Sequence, residues 1–109
     1  MASTYRVLAQ SAPSATTNTD VYTVGSGKSA VVSTITVANR DTSSATYRIA
    51  IRPAGATIAN QHYIAYGASV PANDSIALTL GVTLAATDVV TVYASTANLS
   101  INIFGAEIA

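Results

Sequence analysis

The sequence contains no cysteine and no tryptophan, and it has a single histidine. Without cysteine the chain can form neither a disulfide framework nor a cysteine-based zinc site. Charged residues make up 9% of the chain, against about 25% in an ordinary globular domain. The five basic and five acidic side chains balance each other. The chain therefore has no electrostatic footprint for nucleic acid or for an anionic membrane, and we expect neither partner.

Long apolar segments are also missing. No run approaches the roughly 20 residues that a membrane-spanning helix needs. The N-terminal stretch MASTYRVLAQ has no basic region followed by a hydrophobic one, so we expect no secretory signal.

The residues that the chain does contain favour β-structure. Valine (11), isoleucine (9) and threonine (15) far outnumber the 5 leucines, and β-branched residues fit a pleated surface. Polar and apolar residues alternate in short segments bounded by turns, which is typical of an antiparallel sandwich or barrel. We therefore predict one all-β domain over residues 1–109, an antiparallel β-sandwich of about eight strands with Ig-like or jelly-roll topology. The predicted strands are Thr4–Ala9, Val21–Val24, Ser29–Asn39, Ala45–Arg52, His62–Tyr66, Ser75–Leu80, Asp88–Ala94 and Leu99–Phe104.

The alternation also predicts which side chains form the core. The predicted core residues are Val31, Ile35, Val37, Tyr47, Ile49, Ile51, Ile76, Leu78, Leu80, Leu99, Ile101 and Ile103. Ser11–Asp20 (SAPSATTNTD) is a polar loop, and it is the one stretch whose composition suits mobility. Asp88 follows LAAT, where its carboxylate is expected to cap or bridge the backbone.

The stretch VGSGKSAVVS resembles a phosphate-binding loop, which requires G-x-x-x-x-G-K-[ST] between a strand and a helix. If Gly27, Lys28 and Ser29 filled the last three positions, the first glycine would fall at Tyr22. The following AVVSTITV is rich in β-branched residues and favours a strand over a helix. We therefore predict a tight hairpin turn at Gly25–Gly27, with Lys28 as a solvated turn residue and no nucleotide site.

The sequence shows no recognisable catalytic constellation. His62 has no G-x-S-x-G elbow to accompany it and is expected to lie at a strand end on a sheet edge. The acidic residues are scattered and form no calcium-binding pattern; they are Asp20, Asp41, Asp74, Asp88 and Glu107. We expect no enzymatic activity, no cofactor and no metal site.

Arg48 and Arg52 are the candidate interface residues. Four positions apart on one predicted strand, with Ala50 between them, they share a face that points away from the predicted core. A solvated sheet face and a contact surface are equally compatible with this placement. Arginine is enriched at protein contacts and can hold a carboxylate through two hydrogen bonds. Three tyrosines could line a sugar-stacking surface, although half-buried packing is the commoner role of tyrosine in strands; they are Tyr63, Tyr66 and Tyr93.

From about Tyr22 to its end, the chain resembles a small family of tailed-bacteriophage virion proteins. The resembling pieces are VYTVGSGKSAVVSTITVAN, ATYRIAIRPAGA, HYIAY, LTLGVTLAATDVVTVYAST and NLSINIFGAEIA, of which the terminal FGAEI is the most telling. The resemblance implies a β-sandwich structural module of the virion, without cofactor or catalytic residues, that is made in the host cytoplasm.

Two locations in the particle remain open. The first is the capsid surface, where a cement or decoration protein would bind the major capsid protein; the absence of a collagen-like or coiled-coil shaft favours it. The second is the tail, baseplate or fibre, where the module would bind a host-surface glycan. Capsid decoration sites often lie on three-fold axes, so the resemblance makes a homotrimer the first expectation and a dimer the second.

Overall fold

The alternating segments of the sequence form eight β-strands in the computed structural model, which describes residues 3–109. All eight predicted strands are confirmed, several with longer ends, whereas the predicted end residues Val24, His62 and Asp88 lie just outside their strands. Their bounds are β1 Ser3–Ser11, β2 Thr19–Thr23, β3 Ser29–Asn39, β4 Ala45–Arg52, β5 Tyr63–Val70, β6 Ser75–Leu84, β7 Val89–Ala94 and β8 Leu99–Ile108. Two short 3-10 turns, Pro53–Gly55 and Asn60–His62, lie in the connection between β4 and β5.

The strands form two four-stranded antiparallel sheets that pack against each other. Sheet A has the order β1-β8-β3-β6, and sheet B has the order β2-β7-β4-β5. In an Ig-like sandwich the first two strands pair in one sheet, whereas here β1 and β2 lie in different sheets. Among the described strands, only β4 and β5 are both consecutive in the chain and paired with each other. This arrangement is the jelly roll, one of the two predicted topologies.

The core lies between the two sheets, and the predicted core is confirmed except at one position. Ile35, Ile49 and Ile103 are fully buried there. The other predicted residues are buried in the same cluster or packed against it: Val37, Tyr47, Ile51, Ile76, Leu78, Leu80, Leu99 and Ile101. The β6 members remain partly exposed, since β6 lies at the edge of sheet A.

The assignment of Val31 to the core is wrong. Strand β3 contains a bulge between Val32 and Thr34, where Ser33 interrupts the pairing with β8. An extra residue reverses the alternation on one side of the bulge. Val32 is therefore the fully buried residue, and Val31 points to the outer face of sheet A, where it lines a groove.

The connections follow the predicted turn chemistry. Gly27 has a φ of 74°, and the amide of Lys28 donates to the carbonyl of Gly25 at 3.2 Å, which closes a tight turn. The predicted hairpin is wrong, because this turn joins β2 of sheet B to β3 of sheet A and the two strands do not pair. Lys28 is exposed, and β3 follows it where a phosphate-binding loop would need a helix. The Asp88 carboxylate accepts hydrogen bonds from the amides of Ala85 at 2.8 Å and Ala54 at 2.9 Å, which confirms its bridging role.

The polar segment 11–20 is attached to sheet B. Pro13 is buried, and the amide of Thr16 donates to the carbonyl of Ala94 in β7 at 2.8 Å. The segment's last residues, Thr19 and Asp20, already belong to β2. The predicted mobility of this segment stays a prediction.

Candidate functional site

The outer face of sheet B presents an arginine stacked between two tyrosines. Arg48 lies opposite Tyr66 of β5 on one side and Tyr93 of β7 on the other. Its guanidinium carbon is 4.3 Å from the centroid of the Tyr66 ring and 4.0 Å from that of the Tyr93 ring. A cation over an aromatic face is attracted by the negative charge of the π-system. Tyr63 extends the row, with its ring centroid 4.9 Å from that of Tyr66 in an edge-to-face arrangement. We call these four residues the arginine–tyrosine stack.

Two bulges in β5 position the tyrosines of the stack. Gly67, with a φ of 67°, is unpaired between Ala68 and Tyr66, and Ile64 is unpaired between Ala65 and Tyr63. The positive φ at Gly67 lies in the left-handed region that glycine adopts without steric cost. Because each bulge shifts the alternation by one residue, Tyr66 and Tyr63 both reach the outer face. Tyr66 remains 63% exposed.

The Arg48 guanidinium has no hydrogen-bond acceptor among residues 3–109. The other three arginines all have one. Arg6 donates to Glu107, Arg40 to Ser100 and the carbonyl of Ala97, and Arg52 to Asp20. Arg48 is thus the described arginine whose charge is met only by aromatic rings.

Arg52, the other predicted interface residue, is held within the chain. Its guanidinium forms an ion pair with Asp20 at 2.9 Å and donates to the hydroxyl of Thr91 at 3.0 Å. It also donates to the carbonyls of Gly55 and Ala56, at 3.3 and 3.1 Å. The side chain is only 16% exposed. Arg52 therefore joins β2, β7 and the turn after β4, and the interface role predicted for it stays a prediction.

A polar pocket of about 310 Å³ lies beside Arg52, on the same outer face of sheet B as the stack. Asn18, Asp20, Thr57 and Thr91 line it with the arginine. Thr91 lies opposite Ala50, the residue between the two arginines on β4. The sequence did not reveal this pocket, because Asp20 and Thr91 are 71 residues apart.

The outer face of sheet A carries a larger groove of about 710 Å³ with a mainly apolar lining. We call it the apolar groove, and its principal side chains are Tyr5, Val7, Val31, Phe104 and Ile108. Tyr5 is 86% exposed and Val7 is 43% exposed. The groove lies beside two bulges, since Leu8 is an extra residue in β1 and Ser33 is an extra residue in β3. Bulges increase local bending and twist, and here they turn apolar residues outward.

The terminal FGAEI sequence has a structural explanation in this groove. Phe104 and Ile108 line it, and Gly105 lies where the backbones of β8 and β3 come unusually close. A Cβ atom on residue 105 would overlap the carbonyl oxygen of Val31. Only glycine fits at this position without a backbone shift.

Glu107 of the same sequence joins the two sheets through a polar cluster. Its carboxylate accepts a hydrogen bond from the Tyr22 hydroxyl at 2.6 Å and pairs with Arg6 at 2.8 Å. The bond from Tyr22 lowers the pKa of Glu107, and the charges of Arg6 and Lys28 lower it further, against the opposing effect of burial. Burial, and next the bond to Glu107, raises the pKa of the Tyr22 phenol above its usual range. The cluster is thus a neutral phenol bound to an ionised carboxylate.

The remaining candidate residues are separated from one another. His62 immediately precedes the edge strand β5, as predicted, and its Nδ1 accepts a hydrogen bond from the amide of Ala59 at 3.1 Å. Asp41, between β3 and β4, accepts a hydrogen bond at 3.0 Å from Asn98, between β7 and β8. Within the described part of the chain, no three His, Cys, Asp or Glu side chains come together as metal ligands would.

Comparison with protein-family models, with curated proteins and with solved structures finds no match. Residues 3–109 include no helix that is long and apolar enough to cross a membrane.

Proposed function

We propose that this protein is a non-enzymatic structural protein of a tailed-bacteriophage virion, and that it decorates the capsid by binding the major capsid protein. The apolar groove is the observation that carries the proposal. Exposed apolar patches rimmed by polar residues are typical of protein contact surfaces. Here the groove interrupts a surface with few charges, which would repel neighbouring copies only weakly.

The fold and the sequence resemblance add support of a weaker kind. Jelly rolls occur in viral capsid and lectin domains alike, and a fold alone does not determine function. The homotrimer, with a dimer as second choice, remains part of the proposal, because a closed symmetric oligomer matches the axes of a capsid.

The test is sedimentation of the purified protein with phage heads prepared without it. We expect the wild type to sediment with the heads, and Tyr5→Ser to sediment less, because it removes an exposed ring from the groove without disturbing the core. Lys28→Ala is the control, since Lys28 is exposed in a turn and does not line the groove. Light scattering of the free protein measures the oligomeric state. The proposal would be refuted if the wild-type protein did not sediment with phage heads at saturating concentration.

A second candidate function is a tail, baseplate or fibre module that binds a host-surface glycan. The arginine–tyrosine stack and the polar pocket favour it, because they lie on one outer face and combine aromatic rings with hydroxyl, amide and carboxylate groups. Glycan sites use such convergent polar groups beside apolar rings. Binding to host cells without binding to heads, lost in Tyr66→Ser but kept in Tyr5→Ser, would assign this function.

A further inference from the structure

We propose that Arg48 is a carboxylate-binding site that accepts an aspartate or glutamate side chain from a partner protein. The inference rests on the proposed function, since it names the chemistry of one contact in the virion. It concerns the outer face of sheet B, and it is independent of the apolar groove.

The stack leaves one part of the Arg48 side chain open to a ligand. Tyr66 and Tyr93 lie on opposite sides of the guanidinium, at 4.3 and 4.0 Å. The N–H groups point outward in the plane of a guanidinium, whereas stacked rings cover its two faces. No described residue accepts a hydrogen bond from the Arg48 donors, so they have no partner within residues 3–109.

The stack also prepares the arginine for binding. A free arginine side chain loses rotamer entropy when a ligand immobilises it. Here the cross-strand register between β5, β4 and β7 already holds the guanidinium between two rings. Part of the entropic cost of immobilising the side chain is therefore met during folding.

A carboxylate is the ligand that this geometry and charge fit best. Its two oxygens match two parallel N–H donors of arginine in a bidentate contact. The site offers one positive charge, because the nearest cation along β4, Arg52, is already paired with Asp20. A single charge complements a singly charged carboxylate, whereas a doubly charged phosphate would leave charge uncompensated.

The surroundings favour a protein as the source of the carboxylate. Tyrosine and arginine are the residues enriched at the energetic centres of protein interfaces. Beside them, Ile64 is 46% exposed and adds an apolar side chain to the surface. The amide and carboxylate groups of this face, which would bind further sugar hydroxyls, lie in the polar pocket beside Arg52 and outside the stack.

The test is a titration followed by NMR of the arginine Nε–H groups and the tyrosine rings. The probe is an acetylated peptide of alternating glutamate and glycine, and its glutamine counterpart is the neutral control. We expect the acidic peptide to shift Arg48, Tyr66 and Tyr93 selectively, with an affinity about tenfold above that of the neutral peptide.

Arg48→Lys is the decisive variant, because it keeps the charge but removes the planar donor pair. We expect about a tenfold loss of affinity for the acidic peptide, with an unchanged melting temperature as evidence of folding. Arg40→Lys is the matched control, since Arg40 is exposed in a distant turn. If both variants lost the same affinity for the acidic peptide, the peptide would be attracted only non-specifically by positive charge, and the inference would be overturned. A trigalacturonate probe that shifts the stack more strongly than the peptide would assign the site to a glycan and overturn it as well.

Sedimentation with phage heads separates this inference from the proposed function. If the wild type binds heads and Arg48→Lys binds them equally well, the partner contact is elsewhere and the inference is wrong, while the proposed function stands. If the wild type fails to bind heads, the proposed function fails, and the peptide titration still decides whether Arg48 takes a carboxylate.

Discussion

The phenol of Tyr22 in β2 is 2.6 Å from the carboxylate of Glu107 in β8, and this hydrogen bond joins the two sheets of the sandwich. The bond requires a protonated phenol and an ionised carboxylate. The opposite pKa changes of the two groups therefore connect the stability of the fold to pH at both ends of the scale.

At acid pH, Glu107→Gln should flatten the loss of stability. The folded-state pKa of Glu107 is lowered, so its contribution is present above the ordinary glutamate pKa of about 4.3 and is lost as the pH falls through the folded value. At neutral pH we expect the variant to be less stable by about 1 kcal/mol, because a charge-assisted bond becomes a neutral one. Urea unfolding between pH 2 and 7 measures both effects. Asp41, whose pKa the hydrogen bond from Asn98 lowers, retains part of the acid dependence in the variant.

At alkaline pH, Tyr22→Phe should remove one source of instability. The folded-state pKa of Tyr22 is raised, so the contribution of the phenol is present below the ordinary tyrosine pKa of about 10. It is lost as the pH rises through the folded value. Unfolding curves from pH 8 upward should show a shallower decline in the variant than in the wild type. An unchanged slope would contradict the role assigned to this hydrogen bond.

Gly105→Ala should destabilise the fold by about 1–3 kcal/mol or more, because the added methyl group overlaps the backbone of β3. Gly81→Ala is the matched control: it is also a strand glycine of sheet A, but a methyl group there meets nothing within 4 Å. We expect the control to change stability by less than about 0.5 kcal/mol. Thermal unfolding of the pair, followed by circular dichroism, compares them directly.

Val37→Thr and Val31→Thr should separate the two faces of β3. In Val37→Thr the new hydroxyl is fully buried among apolar side chains, and we expect it to lower the free energy of unfolding by about 1–3 kcal/mol. In Val31→Thr the hydroxyl faces the groove, and we expect a loss of about 0.5 kcal/mol or less. Both exchanges keep a β-branched side chain, so strand propensity is matched. Equal losses in chemical unfolding would show that the bulge at Ser33 does not set the alternation as described.

Arg52→Lys should lower stability more than Arg48→Lys does. Lysine cannot donate at once to Asp20, Thr91 and two carbonyls as the Arg52 guanidinium does. We therefore expect the free energy of unfolding to fall by about 1–2 kcal/mol. Arg48 bonds to no described residue, so its replacement should change the melting temperature little. The reverse order of melting temperatures would contradict the division of roles between the two arginines.

Local pattern predicted the strands and most of the core, because alternation depends only on neighbouring residues. The prediction was wrong at Val31, because the bulge at Ser33 arises from pairing with β8 and cannot be recognised from the neighbouring residues in the sequence. The partners of Arg48 and Arg52 were equally invisible in the sequence, because they come from β2, β5 and β7. The apolar groove lies beside bulges in β1 and β3, two strands that are brought to the two sides of β8 only in the tertiary structure.

The bulges have a further consequence at the borders of the two sheets. Each of the four outermost strands, β1, β2, β5 and β6, contains at least one residue outside the regular pairing. An interrupted border is a poor template for adding a strand from another copy. Charge repulsion protects this nearly neutral protein little, so we expect the bulged edges to be its main protection against amyloid-like growth. Copies that associate would do so through their broad surfaces, where contacts can close on themselves.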